Sequence, residues 1–342
     1  MNAQDRLEAA GTPTLARTRD ELASALAAQG APGLATAQPA AGGRSGRLPA
    51  RAVVMTMGAL HAGHLALVAA AKASAQHVVV TIFVNPLQFG PDEDLDRYPR
   101  DLVGDLALLT GPGLLGAGDV VFAPTPDVVY PDGDPVVRVS AGRFGEVLET
   151  VARPGHLDGV LTVVLKLLHL THPDVAMFGQ KDAQQVAAVR RMVRDRDVPV
   201  DVREVATVRD ADGLALSSRN AYLSPVERTR ALALARSVCA AHDAADRPGA
   251  TPADVRAAAH AVLAGAHIEL EYAELVDPAT FEAVDDQFTG PAVLAVAARV
   301  GATRLIDNAW VMLGDPRAHT AHTLPARAAS DHTATERTEA SR

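Results

Sequence analysis

Cysteine, aromatic residues and positive charge are all scarce in this chain. Cys239 is the single cysteine among 342 residues, so no disulfide can form within the chain, and this usage is typical of a reducing compartment. Aromatic residues make up 4%, whereas aliphatic residues are plentiful, as in an Ala- and Val-rich α/β protein. The formal net charge of −9 argues against a nucleic-acid-binding protein, because such a protein carries a basic face. Any phosphate site must therefore be locally positive.

The sequence also lacks a long apolar run and a leader-like N-terminus. No apolar stretch reaches the ~18 residues that a membrane-spanning helix needs, which predicts no membrane span. Residues 1–10 are acidic and polar, so no signal peptide is evident. Cys239 lies in an apolar helical pattern, and we expect a buried thiol there. The chain is long enough for two domains with a sizeable core.

Strand-like and helix-like runs alternate through the first two thirds of the chain. This rhythm predicts an α/β fold, a doubly wound parallel sheet of Rossmann-like type, with its ligand at the carboxyl ends of the strands. Thr18 and Glu21, at capping-box spacing, predict a first short helix that ends near Gly30. The strand-like runs are 52–55, 78–84, 119–122, 174–178 and 202–206, and the helical runs are 64–75, 100–110, 158–171 and 183–194.

A different pattern begins near residue 207 and predicts a smaller C-terminal α+β domain. Helices are expected to start after Ser224 and after Thr251, because each of these residues precedes a proline and an acidic residue. Strands are expected at 269–276 and 293–300 and, after a turn at Gly301, at 304–306. The predicted division is an N-terminal extension (1–13), a Rossmann-like domain (14–207) with a flexible insertion (30–50), a C-terminal lid domain (208–314) and a disordered tail (315–342).

The segment from Met55 to His64 places two histidines where a strand-like run gives way to a helix-like run. A helix N-terminus offers free backbone N–H groups and a partial positive charge, and Gly58 and Gly63 let the backbone approach a ligand. The imidazoles of His61 and His64, one helical turn apart, can reach the same small anion. A His-x-x-His pair can also bind metal, but no cysteine and no nearby acid completes a zinc set. The segment predicts a phosphate-binding corner that contains proton donors.

Two amides follow the second predicted strand of the core, at Asn85 and Gln88. An amide both donates and accepts hydrogen bonds, so this pair suits a hydroxy acid. The alternative is an Asn-Pro turn without a ligand. Residues 94–100 come next and are either a charged surface loop or a lid.

A lysine stands where a later strand gives way to a helix. Lys181 follows Gly179 and can meet a phosphate there, although an exposed loop lysine is usually only soluble surface. Of the two glutamines one turn further on, Gln184 and Gln185, we choose Gln185 as the one that faces the site.

Two further segments carry candidate site residues. One lies near the predicted boundary between the two domains, and the other precedes a predicted helix. Two hydroxyls and a guanidinium in Ser217-Ser218-Arg219 suit triphosphate oxygens, and their place between the domains suggests a loop that closes over ATP. Residues 153–159 either line the same cleft, through Arg153 and His156, or are a loop with a helix cap at Asp158.

The string Thr56–Leu65, TMGALHAGHL, resembles the HxGH signature of nucleotidyltransferases and, more narrowly, the pantothenate synthetase (pantoate–β-alanine ligase) family. The other segments match the family in the same order, from about Thr14 to the strand that closes at Asn308. The resemblance implies ATP-dependent ligation of (R)-pantoate and β-alanine to pantothenate, through a pantoyl adenylate, with release of AMP and pyrophosphate. It also implies Mg²⁺, a cytoplasmic homodimer, and no nucleic-acid or membrane partner.

The resemblance further implies which residues act. ATP is expected to bind at three segments and one backbone position, namely Met57, Gly58, Ala59, Leu60, His61, Ala62, Gly63 and His64; Gly179, Gln180, Lys181 and Asp182; Leu216, Ser217, Ser218 and Arg219; and Val208 for adenine. Pantoate and β-alanine are expected at Gln88, Gln185 and Asn85. The catalytic set is His64 as proton donor with His61, Lys181, Ser217, Ser218 and Arg219. No metal ligand is assigned.

Three positions depart from the family pattern, which has proline at Met55 and glutamate at Ala62 and Gln180. These changes remove a rigid φ angle and two charges, but none removes a group that performs chemistry. Two other functions are weighed against the ligase. A nucleotidyltransferase for a phosphorylated substrate would need extra basic groups, and a non-catalytic sensor of ATP or pantoate would not need the intact catalytic set.

Overall fold

The structure is a computed structural model, and it describes residues 11–30, 48–91, 93 and 95–314. Most of the predicted extension, most of the predicted insertion and the whole predicted tail lie outside these residues. The described chain forms a six-stranded parallel sheet and a three-stranded antiparallel sheet, each with helices packed against it. None of the helices in these ranges is long and apolar enough to cross a membrane.

The parallel sheet has the strand order β1-β4-β3-β2-β5-β6, as the doubly wound prediction requires. From β2 the chain winds outward through β3 to β4, and it then returns to the other side of β2 to form β5 and β6. The carboxyl ends of β2 and β5 therefore flank the point where the winding reverses, which is where such sheets bind ligands. The strands are β1 (Thr14–Ala16), β2 (Arg51–Thr56), β3 (His77–Ile82), β4 (Val120–Phe122), β5 (Val175–Gly179) and β6 (Asp201–Val205).

Apolar side chains cover both faces of this sheet. In β2, Val53 packs into one core cluster, and its neighbours Ala52 and Val54 pack into another on the opposite face. This alternation follows from the two-residue period of a strand, and covered faces are typical of parallel sheets. The helices are α1 (Arg19–Ala28), α2 (Ala62–Ser74), α3 (Leu102–Thr110), α4 (Pro126–Val129), α5 (Glu149–Ala152), α6 (His156–Thr171) and α7 (Ala183–Asp195).

The second sheet has the order β7-β8-β9, and two long helices pack on it. Capping boxes begin both helices, at Ser224 and Thr251, as the sequence predicts. Gly301, with φ of 61°, forms the tight turn between β8 and β9. Val276 and Phe281 join the core of the first sheet, so the two sheets are packed together by apolar contact. The elements are α8 (Pro225–Ala245), α9 (Pro252–Leu263), β7 (Glu269–Val276), β8 (Gly290–Val300) and β9 (Thr303–Leu313).

Two expectations, the end of β9 and the burial of Cys239, were wrong; one strand was not predicted, and one of the alternatives left open is excluded. Strand β1 was not predicted, because three residues are too few for a periodic signal. Strand β9 runs to Leu313 rather than ending at residue 306, because the polar residues after Ile306, Asp307 and Asn308, form hydrogen bonds within the protein. Cys239 is exposed, because the buried stripe of α8 includes Val238 and passes beside it. Asp158 lies inside α6 and accepts a hydrogen bond from the Ala141 N–H at 2.7 Å, so it is not the helix cap.

Candidate active site

Loops that follow β2, β3 and β5 meet in one cleft, and the segment between the two sheets closes its side. Fourteen of the residues predicted for the site line this cleft, together with Arg153 and His156. These fourteen are Met57, His61, Gly63, His64, Gln88, Gly179, Lys181, Asp182, Gln185, Val208, Leu216, Ser217, Ser218 and Arg219. The cleft thus brings together segments that are far apart in the sequence.

His61 and His64 form the N-terminal cap of α2. The His61 Nδ1 accepts the Gly63 N–H at 3.1 Å, and the His64 Nδ1 accepts the His61 N–H at 3.3 Å. This arrangement is a capping box in which imidazoles replace the usual hydroxyl and carboxylate. A Cβ on Gly63 would lie 2.9 Å from the His61 ring, which explains why glycine stands between the histidines.

The cap also determines the tautomer of both rings. Because each Nδ1 accepts a hydrogen bond, the proton of the neutral ring is on Nε2, and each Nε2 is a donor. Burial, aided by the positive charge of Lys181 and by the cost of protonating two neighbouring imidazoles, lowers the pKa of His64 to about 3. Burial and Lys181 likewise lower the pKa of His61. Both rings are therefore neutral donors at neutral pH before a ligand binds.

Asp105, on α3, holds the loop that leads into this cap. Its Oδ1 accepts the Leu60 N–H at 2.8 Å, and the carboxylate is buried. Burial raises the pKa of Asp105 despite the backbone hydrogen bond from Leu60. Ala59 has a positive φ of 49°, so this bond helps to keep the loop in a strained conformation.

The two amides after β3 have different places. Asn85 is buried: its Nδ2 donates to Gln88 Oε1 and to the Gly159 carbonyl, both at 3.2 Å, and its Oδ1 accepts from the Tyr130 hydroxyl at 3.0 Å. Asn85 thus lies behind Gln88 and orients it, rather than lining the cleft. The Gln88 Nε2 donates to the Met57 sulfur at 3.0 Å, so its amide lies between two of the predicted segments.

Arg153 and His156 support the backbone of Gln88. The Gln88 carbonyl accepts from His156 Nδ1 at 2.8 Å and from Arg153 Nη2 at 3.4 Å. The Arg153 Nη1 donates to His156 Nε2 at 3.0 Å, which requires a neutral ring, and burial with Arg153 lowers the pKa of His156 to about 4. Of the two interpretations offered for residues 153–159, the structure supports the cleft-lining one.

Gly159 is the contact point between α6 and the turn that carries Gln88. A Cβ on Gly159 would lie 2.1 Å from the Leu87 carbonyl oxygen and 2.7 Å from the Gln88 nitrogen. We expect Gly159→Ala to lower the free energy of unfolding by about 1–3 kcal/mol through overpacking and to raise KM for a substrate bound in the cleft by moving Gln88. Thermal unfolding and initial rates measure the two effects.

Gly265→Ala is the matched control, because nothing lies within 4 Å of its Cβ position and its φ is not positive. A Gly159→Ala enzyme with unchanged stability and unchanged KM would contradict the close contact.

The glutamines of α7 divide between core and cleft. Gln184 is buried, and its Nε2 donates to the carbonyls of Phe144 and Val147, each at 2.9 Å. Gln185 lines the cleft. The predicted choice of Gln185 as the residue that faces the site therefore agrees with its position.

Lys181 and Ser217 reach the cleft from different segments. Within the described ranges, no carboxylate is within ion-pair distance of the Lys181 ammonium, which leaves its charge available to a ligand. The Ser217 Oγ accepts the Arg219 N–H at 3.3 Å and begins a short 3-10 helix, Ser218–Tyr222.

Six residues of the predicted set do not line the cleft, namely Gly58, Ala59, Leu60, Ala62, Gln180 and Asn85. Leu60 is buried, and its neighbours determine the path of the loop. Sequence reasoning missed two supporting residues. Asp105 holds this loop, and the side-chain amide of Asn308 donates to the backbone carbonyls of the turn at Lys181. The acidic residue in an apolar helix is the signal that could have identified Asp105.

The chain is similar in sequence and in structure to known pantothenate synthetases. The family model described as pantoate-beta-alanine ligase matches residues 37–310. The pantothenate synthetase of Streptomyces avermitilis is 49% identical, with 89% of this chain and 99% of that protein covered. The crystal structure of pantothenate synthetase from Thermus thermophilus is 42% identical, covers 86% of this chain and 98% of its own, and superposes with a TM-score of 0.74. A pantoate-beta-alanine ligase structure from Francisella tularensis, complexed with beta-gamma ATP and β-alanine, is 28% identical, covers 87% and 97%, and has a TM-score of 0.64.

The parallel sheet, its reversal beside β2 and the histidine cap define an α/β nucleotide-binding enzyme of the HxGH type. The extent of the match identifies the branch of that class. The chain belongs to the pantoate-beta-alanine ligase family.

Proposed function

We propose that this chain ligates (R)-pantoate to β-alanine with ATP, giving pantothenate, AMP and pyrophosphate. One observation carries the proposal: two neutral Nε2–H donors, a lysine with no ion-pair partner among the described residues, and the Ser217–Arg219 loop share a cleft with the amides of Gln88 and Gln185. The first group suits phosphates, and the second suits a hydroxy acid. The proposed site residues are those of the predicted set that line the cleft.

The reaction proceeds in two displacements. The pantoate carboxylate attacks the α-phosphorus of ATP, and pyrophosphate leaves with the electrons of the broken P–O bond. The amine of β-alanine then attacks the acyl carbon of the adenylate, loses a proton, and AMP leaves. His61, His64, Lys181 and the Ser217–Arg219 loop stabilise the charge that builds on the phosphoryl oxygens. The Leu216–Arg219 segment, which lines one side of the cleft, helps to exclude water and so limits hydrolysis of the anhydride.

We propose that Mg²⁺ accompanies ATP. Mg²⁺ in nucleotide sites takes one or two carboxylates together with phosphate oxygens, and Asp182 is the carboxylate that lines the cleft beside Lys181. Among the described residues, no group of three or more His, Cys, Asp or Glu side chains is placed to hold a metal without the nucleotide. When bound, the ion supplies positive charge to the phosphates. AMP formation that survives EDTA would contradict this proposal.

We further propose that the enzyme is a cytoplasmic homodimer, as the family resemblance implies. The exposed side chains of Val136 and Val137, on the segment between α4 and α5, support a partner surface there. Sedimentation of the full chain measures the oligomeric state, and a monomer at enzyme concentrations of an assay would contradict the proposal.

The function is tested by mixing the protein with ATP, Mg²⁺ and pantoate, with and without β-alanine. We expect AMP in quantity only when β-alanine is present, with pantothenate identified by mass spectrometry. Pyrophosphate that depends on pantoate, without an amide product, would indicate a different amine acceptor. Binding of ATP or pantoate without turnover would favour a sensor, and Met55, Ala62 and Gln180 would then be the first positions to revert.

A further inference from the structure

A side-chain amide from the second domain lies against the turn that carries Lys181. The Nδ2 of Asn308, on β9, donates to the Gln180 carbonyl at 2.9 Å and to the Lys181 carbonyl at 2.8 Å. Both N–H groups of the amide are thereby used on two consecutive carbonyls of the first domain. Asn308 is buried, so water competes little for these bonds.

The turn itself has little other side-chain support. It is a 3-10 helix, Gln180–Asp182; its N-cap, Gly179, has no side chain, and its last residue, Asp182, makes no side-chain cap hydrogen bond to the helix that follows. A Cβ on Gly179 would meet no atom within 4 Å, so the turn is open on that side. The amide of Asn308 is therefore well placed to hold the backbone from which the Lys181 side chain extends.

Asn308 is itself held rigidly. Its N–H donates to Asp307 Oδ1 at 2.8 Å, and the buried Asp307 carboxylate accepts both Nη groups of Arg209, at 2.6 and 2.9 Å. Arg209 lies in the small hairpin in which the Leu216 N–H donates to the Val208 carbonyl at 2.9 Å. This hairpin leads directly into Ser217.

We propose that Asn308 is a positioning residue for adenylation, one that fixes the Gln180–Lys181 backbone so that the Lys181 ammonium meets the phosphates of ATP. The inference rests on the proposed function. With its neighbour Asp307, Asn308 links the two phosphate-facing segments, the Lys181 turn and the hairpin before Ser217. Asp307 and Asn308, in the middle of β9, set the distance between these segments. Both N–H groups of the Asn308 side-chain amide donate within the protein, so Asn308 acts through Lys181 rather than on the ligand.

The test is a double-mutant cycle between Asn308→Ala and Lys181→Ala, read as the steady-state rate of pyrophosphate release from ATP and pantoate with β-alanine present. We expect Asn308→Ala alone to lower kcat about 10- to 100-fold, with a smaller change in KM for pantoate, because a displacement of about 1 Å is enough for such a loss. In the Lys181→Ala background the same change should lower kcat by no more than about threefold, since the group it positions is gone. A double variant whose loss of kcat equals the product of the two single losses would overturn the proposal. So would an Asn308→Ala enzyme with no loss of kcat.

Asn308→Asp is the second variant, chosen because it keeps the size of the side chain. Its carboxylate would face two carbonyl oxygens without a donor, so we expect a larger loss of kcat than in Asn308→Ala. Activity in Asn308→Asp that equals or exceeds the activity of Asn308→Ala would overturn the proposal. Thermal unfolding of each variant, with rates scaled to folded enzyme, separates this loss from simple destabilisation.

Glu282→Gln is the matched control, because the exposed Arg143–Glu282 ion pair at 3.5 Å also joins the domains but does not touch the turn. It should leave kcat unchanged. The same cycle is also read as ATP affinity by calorimetry, which needs no turnover. A wild-type protein that forms no AMP would refute the proposed function. A wild-type protein that turns over, together with independent losses of kcat in the two variants, would refute only the role of Asn308.

Discussion

Lys181→Ala is expected to slow AMP formation by about 10²- to 10³-fold. A single preorganised group aimed at charge that develops in the transition state is worth this much in related chemistry. Lys181 meets the condition because it lines the cleft beside Asp182 and has no carboxylate within ion-pair distance among the described residues. Steady-state kinetics with ATP, Mg²⁺, pantoate and β-alanine measure the effect.

The loss should fall mainly on kcat. The charge on the phosphoryl oxygens is greater in the transition state than in bound ATP, so the ammonium stabilises the former more. KM for ATP should rise less, because the histidine cap and the Ser217–Arg219 loop still bind the phosphates. Lys181→Arg keeps the charge on a longer, planar group and should recover only part of the rate.

Lys166→Ala is the matched control for charge. The chain has three lysines, and Lys166 lies on α6 over the ring of Tyr130, outside the residues that line the cleft. Its removal changes the net charge as Lys181→Ala does and should leave the rate within about twofold, because Lys166 lines no part of the cleft and charges away from the phosphates are screened by salt. Near-wild-type turnover in Lys181→Ala would remove this residue from the mechanism.

Local sequence signals were enough for the sheet and for the residues that follow its strands. Strands β2 to β5 each carry an apolar run, and the segments of His61, Gln88 and Lys181 contain polar residues directly after such a run. Because parallel strands end at one edge, His61, Gln88 and Lys181 were expected to meet, and they do line one cleft. Glycine at position 63 and the capping pattern at Ser224 are similarly local signals.

The supporting contacts were not predictable in the same way, because they join residues that are distant in sequence. Asn308 and Lys181 are 127 positions apart, and only the packing of β9 against the turn that follows β5 brings them together. Asn85 was expected at the ligand, whereas its amide is saturated by Gln88, Gly159 and Tyr130. Its residue type suits either place, and only the tertiary structure distinguishes them.

His64 is expected to respond differently to asparagine and to glutamine. The ring has two duties: Nδ1 accepts the His61 N–H at 3.3 Å, and Nε2 presents its proton to the cleft. Asparagine keeps an acceptor near the position of Nδ1 but has no group at Nε2. Glutamine places an amide N–H near Nε2 but loses the local acceptor.

We expect His64→Asn to lower kcat by about 10²- to 10³-fold while the thermal unfolding temperature stays close to that of the wild type. His64→Gln should keep more activity but lose about 0.5–2 kcal/mol of stability, because a cap hydrogen bond is gone. His64→Ala should lose both. Rates and unfolding curves for the three variants separate the donor from the cap.

The neutral ring gives this prediction a second check, in pH. The pKa of His64 is lowered to about 3 in the folded protein, from a usual value of 6.5. Between these values the unfolded chain binds the extra proton, so stability falls as the pH is lowered below 6.5. His64→Asn removes this group, and its unfolding temperature should therefore fall less between pH 7 and pH 5 than that of the wild type. An equal fall in both proteins would mean that His64 is protonated in the folded state, and the neutral Nε2–H donor would have to be abandoned.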